Sequence, residues 1–179
     1  MSQPGQPFII EELRPEDIEE MTMLRYQSFL DTYVDESLGI TRGWLQNRNK
    51  AKMTPEYLRA WREQFEAGKA NAISTAWVAR REDGKMIGFA TPFIEAGGIQ
   101  RVGAIYVDKT WHGKGVGGAL MKKVIDWHDS AKPIELHVAA YNERAKAFYR
   151  KWGFKEVPGS EQLFDDKIPE VKMIWEIVE

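Results

Sequence analysis

Trp111-His112-Gly113-Lys114-Gly115-Val116-Gly117-Gly118-Ala119-Leu120 is the stretch on which the reading of this chain turns. Four of the six residues from 113 to 118 are glycine. An apolar run, Val102 to Val107, precedes them and an amphipathic run, Ala119 to Trp127, follows, so the order is strand, glycine-rich turn, helix. Glycines at such a turn let the backbone approach a ligand closely, and the N–H groups opening the helix bind anions. Phosphate is the natural guest, which points to a nucleotide-containing cofactor.

Two common phosphate motifs fit poorly. The P-loop closes on Gly-Lys-Ser/Thr, and no such ending occurs here. Gly113, Gly115 and Gly118 match G-x-G-x-x-G formally. A dinucleotide fold also requires an acidic residue about 20 positions further on, closing a second parallel strand. Here the next strand, Ile134-Glu135-Leu136-His137-Val138, runs instead into Asn142 to Phe154, and too few strands remain for a Rossmann domain.

At 179 residues the chain fits a single domain, 1–179, with one sizeable core. A net charge of -2 gives no basis for general nucleic-acid or anionic-membrane binding. With no cysteine there is no disulfide, thiolate metal site or cysteine nucleophile. No apolar run approaches the roughly 20 residues of a membrane span, and the start of the chain lacks a signal-peptide pattern. A cytoplasmic protein is expected.

Phe8 to Leu13 reads as a first strand. Arg14-Pro15-Glu16-Asp17 opens a helix, with proline and acids suited to its first turn, and Ile18, Met21, Leu24, Phe29 and Tyr33 continue it. Asp35 to Lys52 reads as a polar connection, and Thr54-Pro55-Glu56 opens a second helix with a stripe through Leu58, Trp61 and Phe65. Strands follow at Thr75 to Arg80 and Met86 to Phe93, joined across Asp83-Gly84, and at Arg101 to Val107. After the glycine turn come its helix, the Ile134 strand, the Asn142 helix, and strands near Phe154–Val157 and Val171–Val178. The order is β-α-α-β-β-β-α-β-α-β-β.

In this order the chain resembles the GCN5-related N-acetyltransferase (GNAT) superfamily, most strongly from about Thr75 to Val157. Three segments carry the likeness: Ile105-Tyr106-Val107-Asp108 ending a strand, His112-Gly113-Lys114-Gly115-Val116-Gly117, and Asn142-Glu143-Arg144-Ala145-Lys146-Ala147-Phe148-Tyr149 with Gly153-Phe154 behind it. The resemblance implies an α/β fold with a mixed sheet that splays between its fourth and fifth strands, acetyl-CoA lying in the gap. A helical acceptor side over about 14–70 and a cofactor-binding core over about 75–157 follow from it. The family motif is Q/R-x-x-G-x-G/A, and His112 stands where Gln or Arg is usual, a departure that bears on one pyrophosphate contact. By the same likeness the amides of Gly113, Lys114, Gly115, Gly117 and Gly118, with Val116 between them, hold the pyrophosphate. Backbone groups of Tyr106 and Val107 pair with the pantetheine arm as an added strand would. Asn142 contacts the cofactor near its thiol end.

Acetylating an amine requires removing a proton, since a free alkyl amine is mostly protonated near neutral pH. It also requires stabilising an oxyanion and protonating the departing thiolate. Tyr149 occupies the family position for the last task, and from spacing alone it reads equally well as a core residue. The oxyanion falls to a backbone amide of the fourth strand, Val107. Arg101 to Val107 contains no acid to serve as base. His137 is the candidate instead, resembling protein N-terminal acetyltransferases at this spacing, with a structural histidine as the other reading. Glu135 is expected on the opposite side of its strand.

His128 is expected to face solvent, and Lys146, Arg150 and Lys151 to form a solvated helix face. Three scattered histidines without cysteine argue against a metal site. Tyr26, Phe29 and Tyr33, with Asp31, Asp35 and Glu36, suit an acceptor wall, leaving polyamine-like small molecules and peptide N-termini both open. The resemblance thus implies an acetyl-CoA-dependent N-acetyltransferase acting on a primary amine by direct transfer. A non-catalytic acyl-CoA-binding module of the same fold and a nucleotide-binding α/β protein are the alternatives. Dimers are common among similar proteins.

Overall fold

The computed structural model describes residues 7–176. Its strands are β1 (Phe8–Glu12), β2 (Trp77–Arg81), β3 (Met86–Ile94), β4 (Gln100–Val107), β5 (Ile134–Ala139), β6 (Lys155–Glu156), β7 (Gln162–Phe164) and β8 (Ile168–Trp175). The helices are α1 (Ile18–Thr32), α2 (Arg42–Lys50), α3 (Pro55–Ala70), α4 (Val116–Trp127) and α5 (Glu143–Lys151). The strands form one mixed sheet in the order β1-β2-β3-β4-β5-β8-β6, with β7 paired to β8. Among the described residues no helix is long and apolar enough to cross a membrane.

Helices cover both faces of the sheet, as an α/β layer requires to bury two apolar surfaces. On one face Val116, Leu120, Met121 and Val124 of α4 are fully buried at helical spacing against Ile87, Val102 and Leu136. Burying each such side chain contributes about 1.5–3 kcal/mol relative to exposure. On the other face α1 and α3 pack Ile18, Met21 and Phe65 against Val78 and Phe89. Thr54 caps α3 by accepting from the Tyr57 N–H at 3.2 Å, with Pro55 at the first helical position.

The junction of β4 and β5 makes the site. They run parallel but pair only at Gln100 with Ile134 and Arg101 with Glu135, and from there they diverge. The Arg101 guanidinium meets the Glu135 carboxylate at 2.7 Å across the last rung. Two residues further on, β4 carries a bulge: Ala104 faces Thr91, Val102 faces Pro92, and Gly103 is the extra residue. A bulge bends the strand that contains it. A side chain at Gly103 would lie 2.5 Å from the Thr91 carbonyl oxygen and 2.8 Å from the Phe93 ring, so only glycine fits.

Several elements differ from the sequence expectation. The Asp35–Lys52 segment, read as a polar connection, contains α2, capped by Thr41 accepting from Trp44 N–H at 3.1 Å. Only Leu45 and Asn49 of α2 are buried, too few positions to register as an apolar period. Pro15–Asp17 is a separate 3-10 turn ahead of α1. The strand near Phe154–Val157 shrinks to two residues, and β7 was not anticipated. The last strand begins at Ile168 and ends at Trp175; Ile177 and Val178, placed in it from sequence, lie outside the described residues.

Candidate active site

A cavity of about 920 Å³ occupies the gap between β4 and β5 and continues onto the α1 face of the sheet. Its walls include Tyr106, Val107, His112, Gly113, Gly115, Gly117, Gly118, His137, Asn142 and Tyr149, so most of the candidates named from sequence converge on one space. Val116 and Lys114 flank it: Val116 is buried in the core, and Lys114 carries its ammonium over the Trp111 ring at 5.0 Å.

The glycine turn supplies an anion cradle. Gly113 and Gly115 adopt φ of +75° and +87°, a region that strains other residues, and a side chain on either would meet nothing within 4 Å. The space above the turn is therefore open. The first bond of α4 runs from the Ala119 N–H to the Gly115 carbonyl at 3.0 Å, so the amides of Val116, Gly117 and Gly118 precede the intrahelical ladder and face the helix opening. The Lys114 amide instead turns back to the Trp111 carbonyl at 3.4 Å. Phosphate groups fit this arrangement.

The β4 backbone divides its duties by the alternation of an antiparallel ladder. Asp108 N–H donates to the Ile87 carbonyl at 2.8 Å, so in register Tyr106 turns its backbone groups to β3 while Val107 and Ile105 turn theirs into the gap. Val107 thus turns its N–H into the gap, whereas Tyr106 lines the cavity with its side chain. His112 Nε2–H donates to the Val107 carbonyl at 2.9 Å, because a carbonyl oxygen only accepts. Nδ1 then accepts from Arg144, whose guanidinium leans on the ring from the first turn of α5. Burial and the Arg144 charge hold the His112 pKa below that of a free imidazole, which fits a neutral ring bonded on both nitrogens. One cation in a basic helix turn carries no signal of its own in the sequence; the structure brings Arg144 to His112.

Asn142 caps α5, its Oδ1 accepting from the Ala145 N–H at 3.1 Å, and its Nδ2 has no protein partner among the described residues. Tyr149 lies about two turns further along α5, buried, with ring contacts to Phe148 and Phe154 at 5.4 and 5.9 Å. Its hydroxyl has no hydrogen bond to protein among the described residues, and burial raises its pKa well above that of a free phenol. It is a protonated donor aimed at the cavity.

His137 lines the cavity from β5, opposite Lys172 of β8. Burial first, then Arg101, lowers its pKa, so the ring is neutral near pH 7. Glu135 shares its side of the strand, contrary to expectation: the two positions differ by two, and side chains alternate with a period of two. That carboxylate is held by Arg101 and, at 3.6 Å, by Lys172.

Other expectations are corrected. His128 is buried at 6% exposure, its Nε2–H donating to the Arg101 carbonyl at 3.1 Å. Lys146 is buried between Glu143 at 2.5 Å and Glu156 at 3.5 Å, not solvated, whereas Arg150, paired with Glu156, and Lys151 are exposed as expected. On the acceptor side Asp31 is taken by Lys109 at 3.1 Å, and Asp35 caps the Glu36–Leu38 turn. Phe29 and Tyr33 do face the cavity, stacked at 4.5 Å, and the Tyr33 and Tyr106 hydroxyls meet at 3.3 Å. Glu170 of β8 lines the same space and was missed, because sequence reading began that strand one residue after it.

Comparison with known proteins agrees with this architecture. Among solved structures, the PaiA N-acetyltransferase from Thermoplasma acidophilum in complex with coenzyme A aligns with a TM-score of 0.72 at 20% identity, over 96% of this chain and 99% of that one. An acetyltransferase of the GNAT family from Streptococcus pneumoniae aligns with a TM-score of 0.70 at 20% identity, over 96% and 100%. Uncharacterised N-acetyltransferases of Mycobacterium tuberculosis and Mycobacterium bovis are 36% identical over 88 residues, or 47% of this chain. The chain spans 53% of the length of those relatives. A family model for the Acetyltransferase (GNAT) family matches residues 39–154. With the parallel β4–β5 rungs, the gap beyond them and the glycine turn at its mouth, the match makes the chain a member of the GNAT acetyltransferase family.

Proposed function

We propose that this chain transfers the acetyl group of acetyl-CoA directly to a primary amine, with Tyr149 as the proton donor to the leaving thiolate. The observation that carries the proposal is the partnerless, protonated Tyr149 hydroxyl in the same cavity as the inward-turned Val107 N–H and the open glycine turn.

The turn amides at Gly113, Gly115, Val116, Gly117 and Gly118 hold the pyrophosphate, and Arg144 adds the positive charge that His112 lacks. Backbone donors give most of the binding and the guanidinium strengthens it as a charge-assisted contact. Ile105 turns backbone groups towards the pantetheine arm, and Val107 presents its N–H to the carbonyl oxygen as negative charge develops there. Asn142 Nδ2 orients the thiol end. On the acceptor side His137, a neutral imidazole, takes the proton that the amine must lose. As the C–N bond forms and the C–S bond breaks, Tyr149 gives its proton to sulfur. No metal is needed in this scheme. A cytoplasmic setting accords with a cysteine-free chain that uses acetyl-CoA.

Thiol release from acetyl-CoA, measured with a broad panel of amines, tests the proposal. Amine-dependent release that Tyr149→Phe suppresses supports it. Binding of acetyl-CoA without release for any amine would favour a non-catalytic acyl-CoA-binding module instead.

A further inference from the structure

Two charges of opposite sign line the acceptor end of the cavity without ion-pair partners. Arg25, half-buried on α1, stacks over the Phe29 ring at 5.6 Å, and no carboxylate lies within 4 Å of it among the described residues. Glu170, half-buried on β8, sits between Ala139 of β5 and Gln162 of β7 in register. The Gln162 side chain lies beside its carboxylate and favours the charged form, and no cation lies within 4 Å of it among the described residues.

Two neighbouring arginines already hold carboxylates, Arg48 also lying within electrostatic reach of Glu170, while Lys52, near Arg25, has no ion pair among the described residues. Arg48 pairs with Asp165 while packed between the Phe29 and Phe164 rings at 5.1 and 4.8 Å. Arg101 holds Glu95 at 2.9 Å and Glu135 at 2.7 Å. Both unmatched groups lie within electrostatic reach of the hydroxyl pair of Tyr33 and Tyr106: Glu170 raises the pKa of each phenol and Arg25 lowers it. Partly buried charges without partners are costly to keep. A cation and an anion held open beside the aromatic wall of Phe29 and Tyr33 form a surface complementary to a ligand bearing the opposite pair.

We propose that the acceptor is a primary amine that also carries an anionic group, an amino acid or a similarly charged small molecule, with its ammonium at Glu170 and its anionic group at Arg25. The inference rests on the acetyl-transfer reading for the fate of the amine, but the binding it describes does not depend on transfer. A plain amine leaves Arg25 unanswered, and a polyamine sets a second cation against it, a repulsion that selects against that class.

Matched trios test this on the protein saturated with CoA: an α-amino acid, its decarboxylated amine and its deaminated acid, taken across the side-chain classes and titrated calorimetrically. L-leucine, 3-methylbutylamine and 4-methylpentanoate form one such trio. The expected result is at least one trio whose amino acid binds about tenfold or more tighter than both partners. Arg25→Gln brings that amino acid down to the level of the amine, Glu170→Gln brings it down to the level of the acid, and neither changes CoA affinity. Amines binding as tightly as their amino acids in every trio, no binding by any amino acid, or unchanged preference in both variants would overturn the proposal. Amino-acid binding without acetyl transfer would leave it standing and refute the transferase reading, whereas transfer to plain amines alone would do the reverse.

Discussion

Arg144 donates to the Nδ1 of His112 while His112 Nε2–H donates to the Val107 carbonyl, so one neutral imidazole ties the first turn of α5 to the end of β4 beside the glycine turn. A guanidinium from a different element thereby stands beside position 112, where the family motif has Gln or Arg. Arg144→Ala removes a charge-assisted contact, about 1.5–3 kcal/mol. Acetyl-CoA affinity is expected to fall by roughly tenfold or more in a calorimetric titration. His112→Arg in the same background supplies the family residue and should recover most of the loss. Unchanged affinity in Arg144→Ala would place the guanidinium outside the pyrophosphate site.

Tyr149→Phe deletes a hydroxyl that has no protein partner, so the fold has little to lose. The expected outcome is a fall in kcat of about 10²-fold, the lower range for removing a general acid, with acetyl-CoA affinity held within about twofold. Steady-state kinetics alongside calorimetry separate the two effects. A variant with wild-type kcat would leave Tyr149 as a packing residue only.

Gly103→Ala probes the bulge that bends β4 at the gap. Its added carbon would lie 2.5 Å from the Thr91 oxygen, a backbone atom that does not yield cheaply. Such overpacking costs about 1–3 kcal/mol. Chemical denaturation should show that loss, and kcat/KM should fall with it because Val107 shares the strand. A stable and fully active variant would mean that the bulge is incidental to the site.

His128 gives stability a pH dependence of defined sign. Burial lowers its pKa from the 6.5 of a free imidazole, with only the Arg101 carbonyl opposing the shift. The unfolded chain therefore binds the proton first as pH falls. Stability is full above about pH 6.5 and declines below it, down to the folded-state pKa. His112 and His137 are shifted in the same direction and add to the slope. His128→Asn should flatten the decline in denaturation midpoints between pH 7 and 5. An unchanged slope would assign it entirely to other groups.

Arg80 is the structural counterpart of these functional residues. It meets Asp17 at 2.6 Å, Glu11 at 2.7 Å and Glu20 at 2.9 Å, with its own side chain and that of Asp17 about nine-tenths buried. Arg80→Ala leaves the buried Asp17 with only the more distant, exposed Arg14 at 3.4 Å, a break in a buried pair that costs about 3 kcal/mol. Thermal melts should register that loss while the activity of the folded fraction persists. A variant of wild-type stability would show that the network carries no net weight.

The parts of this fold legible in sequence are those with a periodic apolar pattern or special backbone chemistry. Val116, Leu120 and Val124 announce α4, and Gly113 and Gly115 announce the turn, because only glycine takes φ near +80° without strain. The helix α2 went unread since it buries just Leu45 and Asn49. His128, Lys146 and Glu170 were misjudged or missed for a common reason. Their environments come from partners 8 to 27 residues away on separate elements, the Arg101 carbonyl, Glu156 and Gln162, and no local pattern encodes those pairings.

The most direct test of the central claim is calorimetric titration of the purified chain with acetyl-CoA, with NAD and ATP titrated in parallel. Selective, saturable binding of acetyl-CoA, weakened in Arg144→Ala, is the predicted result. Absence of acetyl-CoA binding, or a preference for NAD or ATP, would contradict the assignment of the glycine turn and the β4–β5 gap to acetyl-CoA.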